Sequence, residues 1–300
     1  MAMTPLRLFL DTNVVSNLVN REYGDPAPRR EQLLQAVKAG LVRVSGSTEV
    51  LGELAGMIRG TNKSLFPQVR DMYFQIVDEW WIRPFTERWR AEACVPGRLP
   101  DDDLYLHKNR WQKLIELSQQ KLWVAVASRV KQHKQKYKAD FEDARTSVVA
   151  RWKEEARRNG IKDTRRSRLR EAALGSYRER DVDAWCRRTL KDAVSRRIIP
   201  PSVDGWKDPK AVTPSLWHNT EYHLAMMASE VGDQSRIKGS DSYDARHYAA
   251  AAVYSDLLVT EDGVFSKTCM RITERAVEVI GLPEFDQRVH ALLEGAGRTG

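Results

Sequence analysis

The sequence predicts an α/β fold: a parallel β-sheet flanked by helices, interrupted by a large all-α insertion. Three observations carry this. The apolar runs at residues 6–10 and 257–260 have the length and continuity of strands buried on both faces. Helical patterns follow each run, in the alternation that right-handed crossovers between parallel strands produce. Between about residues 63 and 235 no strand pattern occurs, and apolar residues recur at helical spacing.

In chain order, the first strand (Leu6, Leu8, Phe9, Leu10) ends in Asp11, and a short helix starts at Val14. Gly24, Pro26 and Pro28 break that helix, and a second spans residues 30–39, closed by Gly40. Residues 41–45 form the second strand. Ser47 or Thr48 caps a helix over residues 49–57, which carries Glu49 and Glu53 one turn apart on one face. The insertion follows: a helix over residues 67–81, another opened by Asp101, basic helices over residues 120–159, and further helices over 181–197 and 216–231. Asp241 opens an Ala-rich helix over residues 241–252. A strand at 257–260, a turn at Glu261-Asp262-Gly263, a last strand at 276–280 and a polar tail complete the outline. The domain division is therefore a discontinuous α/β core, 1–62 and 236–300, around a basic, Trp-rich helical insertion, 63–235.

Three hundred residues with 42% hydrophobic content support a sizeable core. No run approaches the roughly 18 apolar residues of a membrane span, and no signal-peptide pattern opens the chain, so a cytoplasmic location without membrane contact is expected. Cys94, Cys186 and Cys269 are widely spaced, which excludes a zinc ribbon and a disulfide framework. No paired-His spacing suggests zinc, and the phosphate-binding, dinucleotide and serine-hydrolase glycine motifs are absent. The net charge of +8 is uneven: residues 121–200 carry 23 Lys and Arg against 11 Asp and Glu. That stretch is +12 and the remainder −4, an asymmetry that suggests a polyanionic partner.

Ligands in open α/β sheets sit outside the carboxyl ends of strands. Asp11 and Asp262 each follow a strand, while Glu53 and Asp244 lie on helices able to face the same edge. Such carboxylates suit Mg²⁺ or Mn²⁺, which take oxygen ligands and serve phosphodiester hydrolysis.

The motifs around these acids resemble the PIN-domain nucleases. Leu10-Asp11-Thr12-Asn13 after an apolar strand resembles that family's opening signature, and Ser47-Thr48-Glu49-Val50-Leu51-Gly52-Glu53-Leu54 its second motif. Asp244-Ala245-Arg246-His247-Tyr248-Ala249 is similar to the third, and Leu258-Val259-Thr260-Glu261-Asp262-Gly263-Val264-Phe265 to the fourth. The resemblance covers only the two ends of the chain. It implies a PIN-like sheet that gathers Asp11, Glu53, Asp244 and Asp262 as catalytic metal ligands for Mg²⁺ or Mn²⁺. Asn13 and Thr260 would orient those carboxylates. Asp241 either adds a ligand or caps its helix, the cap being favoured; Glu49 supports its helix's first turn, and Glu261 is solvated. His247, three residues after Asp244 on the same helix, could touch the site, a packing or surface role being favoured.

In the insertion, Lys131, Lys134, Lys136, Lys138, Arg157, Arg158, Arg165, Arg166 and Arg168 are candidates for nucleic-acid backbone contacts, and the tryptophans for a helical core. The expected function is metal-dependent endonucleolytic cleavage of RNA, such as a tRNA, by a toxin or phage-defence effector. The same reading admits an antitoxin or effector partner and a homodimer. A structure-specific DNA nuclease and a non-catalytic nucleic-acid-binding scaffold remain the alternatives.

Overall fold

The structure, a computed structural model, describes residues 4–20, 25–57, 63–107, 109–110, 112–113, 123–161, 168–201, 206–232, 241–272 and 276–297. Strand β1 (Leu6–Leu10) forms where Leu8, Phe9 and Leu10 are all buried, as expected of a strand covered on both faces. It pairs in parallel with β2 (Val42–Val44) on one side and β3 (Leu257–Val259) on the other. β4 (Glu278–Ile280) extends the sheet beyond β3, again in parallel, giving the order β2-β1-β3-β4. The chain leaves β1 toward β2 and returns on the opposite side to β3. The switch point therefore lies between β1 and β3, and a crevice opens at their carboxyl ends. Asp11 and Thr260 sit on either side of it.

The core helices follow the expected outline with shifted ends. Helix α1 spans Thr12–Asn17 and α2 spans Ala27–Lys38. Helix α2 begins before the expected residue 30, with Pro28 in its first turn, where a missing N–H leaves no bond unmade. Helix α3 (Thr48–Gly56) is capped by Ser47, whose hydroxyl accepts from Val50 N at 3.1 Å.

The inserted region is helical, with two additions. Trp81 and Ile82 bridge to Gly46 and Tyr105, a pairing too short to leave a strand pattern. Beyond α4 (Phe66–Val77), an unexpected helix α5 (Phe85–Cys94) buries Phe85, Arg88, Trp89 and Glu92. Helix α6 (Asp101–Leu104) is a single turn, and Leu114, Ile115 and Leu117 lie outside the described residues. Residues 123–158 form one helix, α7 (Trp123–Arg158), roughly 54 Å long at 1.5 Å per residue. Helix α8 (Arg168–Ser195) begins well before the expected residue 181, and residues 162–167, with Arg165 and Arg166, lie outside the described residues.

The single turn α9 (Pro209–Val212) leads into α10 (Pro214–Gly232), which packs along α11 (Asp241–Tyr254). Helix α12 (Gly263–Met270) follows β3. The C-terminal stretch is a helix, α13 (Leu282–Gly297), and not a polar tail. Leu282, Phe285 and Val289, at helical spacing, bury one face of it. Glu261, expected to be solvated, accepts from Leu282 N at the start of that helix.

One continuous apolar core joins the sheet layers to these inserted helices. Trp81 and Trp152 are fully buried, with Trp89 and Trp206 nearly so, and Trp80, Trp185 and Trp217 pack against the same core. No described helix is long and apolar enough to cross a membrane.

Candidate metal centre

Asp11 stands at the end of β1, where its backbone N–H still bonds Val259 O of β3. Its side chain is buried because the strand is, and both oxygens are engaged. Oδ1 accepts from Thr12 N at 2.7 Å as the cap of α1, and Oδ2 accepts from the Thr260 hydroxyl at 2.9 Å. Thr260 also accepts from Asp262 N at 3.0 Å, so one hydroxyl couples the ends of the two central strands. The Thr260 hydroxyl thus fixes one oxygen of the Asp11 carboxylate.

Glu53 reaches the same place from α3. Its Oε2 accepts from the Thr12 hydroxyl at 2.8 Å and its Oε1 from Lys134 Nζ at 2.8 Å. Gly52, its neighbour, explains how α7 comes so close. A Cβ at position 52 would lie 3.3 Å from a Val130 methyl and 3.6 Å from the Tyr243 ring, so the absent side chain lets α7 and α11 close on α3.

The third member is His247, which the sequence reading left to packing. On α11, Ala249, Ala250 and Ala251 are essentially buried and lie next to the sheet, so small side chains bring this helix against β1 and β3. The His247 ring is thereby wholly buried, 5.4 Å from the Phe9 ring. Its Nδ1 lies 3.4 Å from Asp11 Oδ1 and its Nε2 3.9 Å from Glu53 Oε2. Neither nitrogen makes a hydrogen bond among the described residues. Burial pushes the ring's pKa down, but the carboxylates of Asp11, Glu53 and Glu49 outweigh it and hold the pKa above the ordinary histidine value.

Ligand atoms of Asp11, Glu53 and His247 all lie within 4.8 Å of one another. Two carboxylates and an imidazole whose nitrogens make only these long contacts fit a divalent cation. The donor set also favours Mn²⁺ over Mg²⁺, because imidazole is a poor ligand for the harder ion.

The other candidate acids are placed differently. Asp244 is half-buried on α11, one turn before His247, and is not a member of the 4.8 Å triplet. Asp262 caps α12, its Oδ1 accepting from Val264 N at 2.8 Å and Phe265 N at 3.0 Å, and it touches the cluster through Thr260. Asn13 is exposed on α1. Asp241 is the first residue of α11, and its side chain lies outside the described residues. Glu49 does more than support its first turn: its buried Oε1 accepts from Phe85 N at 2.9 Å, tying α3 to α5.

Of the basic candidates, Lys131 and Lys136 are exposed on α7. Lys134 is turned inward onto Glu53, and Arg157 and Arg158 both bond Glu154 on their own helix. The side chains of Lys138 and Arg168 lie outside the described residues.

Thr12, Lys134 and His247 are the contributors that sequence reasoning left unassigned or placed elsewhere. For His247 the spacing from Asp244 already put both on one side of a helix, but a lone histidine favoured packing over a ligand role. In comparisons with protein-family models, with curated proteins and with solved structures, nothing matches this chain.

Proposed function

We propose that this protein is a metal-dependent endonuclease of PIN-like design that hydrolyses phosphodiester bonds in RNA. The observation that carries this reading is the meeting of Asp11, Glu53 and the unsatisfied His247 at the switch point of a parallel sheet. The chemistry that a bound Mg²⁺ or Mn²⁺ supplies there is polarisation of a phosphodiester and activation of a water nucleophile. Asp11, Glu53 and His247 would hold the ion, with Asp244 one turn from His247 and Asp262 behind Thr260. Thr12 and Thr260 keep the two carboxylates in place through their hydroxyls. Lys134 pairs with Glu53 at the edge of the cluster. The basic excess of the inserted helices favours a long polyanion over a small phosphate ester, and this supports RNA cleavage by an effector or toxin.

The test is cleavage of total RNA, and of single-stranded, duplex and branched DNA, with Mn²⁺, Mg²⁺ or EDTA. Wild type is expected to cut RNA with Mn²⁺ best, and Asp11→Asn to lose roughly 10³-fold, the several kcal/mol that metal-assisted charge stabilisation supplies. Cutting that survives both EDTA and Asp11→Asn would sink the reading.

A further inference from the structure

We infer that Arg246, Lys134 and His133 form a seat for a single backbone phosphate of a nucleic acid, directly beside the acid cluster. The identity of that ligand rests on the phosphodiesterase reading. The three side chains come from two helices, α7 and α11, and gather around one ring. Lys134 Nζ lies 4.8 Å from the Tyr243 centroid, the Arg246 guanidinium carbon 5.5 Å, and the His133 ring 6.1 Å and perpendicular. Such an aromatic platform holds cations at modest cost while leaving their donors available.

The guanidinium is aimed. Arg246 Nη2 meets His133 Nε2 at 3.0 Å, and the Phe85 ring backs it at 5.8 Å. Burial, then the charges of Arg246 and Lys136, hold the His133 pKa below its ordinary value, so the ring is a neutral acceptor that orients Arg246. Among the described residues no carboxylate lies within ion-pairing distance of Arg246, and the one partner of Lys134 is Glu53 itself. Arg246 and Lys134 flank the Tyr243 ring while the carboxylates of Glu53 and Glu49 act on it as well, so the two cations form a basic edge over an acidic floor.

Position decides what that anion is. Lys134 touches Glu53, so an anion bridging Lys134 and Arg246 would border the candidate metal ligands. A phosphodiester fits, because its charged oxygens accept from both cations while the adjoining bond faces the acids. The floor is acidic and the rim basic, as a site must be that holds a cation and a phosphate together. Lys131 and Lys136, exposed on α7, extend the basic track for neighbouring phosphates. The fixed helices α7 and α11 build this seat, so it reads backbone and not sequence.

The experiment uses a fluorescent 12-nucleotide single-stranded RNA and a DNA of the same sequence, bound to full-length protein in EDTA over a salt series. Mn²⁺ binding is followed separately by paramagnetic resonance. Arg246→Met keeps the apolar stem against the rings and should weaken RNA binding about tenfold. It should also lower the salt slope by about one while leaving Mn²⁺ binding unchanged. Lys134→Met should weaken RNA binding similarly and strengthen Mn²⁺ binding, since it frees a Glu53 oxygen. Equal effects on RNA and DNA are expected of a phosphate seat. Wild-type affinity and slope in both variants would overturn the inference, as would absence of salt-dependent binding by the wild type. Tight, Arg246-dependent binding without cleavage would keep the seat and remove the nuclease reading.

Discussion

Two buried carboxylate sites, some residues apart in character as well as in place, show how a folded chain separates structure from chemistry. Glu92 on α5 is fully buried, and its oxygens accept from Ser215 N at 2.9 Å, Ser215 Oγ at 2.6 Å and the Tyr254 hydroxyl at 2.7 Å. Arg88 donates to the same Ser215 hydroxyl at 2.9 Å. The residues of this node come from α5, α10 and α11, so it bolts inserted helices to the core. Asp11 is as deeply placed, but beside it sits a buried imidazole with two bare nitrogens and a second carboxylate. The first site is a joint between helices, whereas the second gathers two carboxylates and an imidazole at a crevice, the arrangement that perturbed functional groups favour.

The sharpest way to break this comparison is to disarm each site. His247→Leu should raise the Mn²⁺ dissociation constant by roughly a hundredfold, as ligand-sphere losses do, without lowering the melting temperature. Glu92→Ala should leave Mn²⁺ binding intact and cost about 3 kcal/mol in denaturant unfolding. It strands the buried Arg88 charge and the Ser215 and Tyr254 donors. If both variants lost both properties, the two sites would be one cooperative structural unit and the distinction would fail.

A smaller effect tests the coupling of the strand ends. Thr260→Val removes the hydroxyl between Asp11 and Asp262 N at nearly constant shape. Metal affinity should fall about tenfold and stability by about 1 kcal/mol, read by resonance titration and by urea unfolding. An unchanged affinity would show that the Thr12 contact alone holds Asp11.

The smallest expected effect is one of pH. Burial raises the Glu92 pKa above the ordinary carboxylate value, partly opposed by the hydrogen bonds of Ser215 and Tyr254 and the charge of Arg88. Folded protein then keeps a proton that the unfolded chain has released. The stability gained from Glu92 is complete below the ordinary carboxylate pKa and is lost as pH rises through the elevated one. The unfolding free energy of wild type relative to Glu92→Gln should therefore decline from roughly pH 4 upward. A flat difference would place Glu92 at its ordinary value.

Much of the scaffold was legible in the chain because its signals are local. The continuous run Leu8-Phe9-Leu10, the Ser47 cap and the Ala-rich turn after Asp244 each act within a few residues, so periodicity and capping chemistry reveal β1, α3 and α11. Helix α13 was missed although Leu282, Phe285 and Val289 keep helical spacing, since Gly295 and Gly297 made the stretch read as a tail. Asp11 was legible as an acid at a strand end, and Glu53 as an acid on a helix able to face the same edge. What only the tertiary structure decided is which groups share space. His247 joins the acids because buried alanines press α11 onto the sheet. Lys134 reaches Glu53 because Gly52 lets α7 settle on α3, 81 residues away in sequence. Local patterns are written in neighbouring residues, whereas such contacts depend on how closely whole helices pack, and no spacing along the chain records that distance.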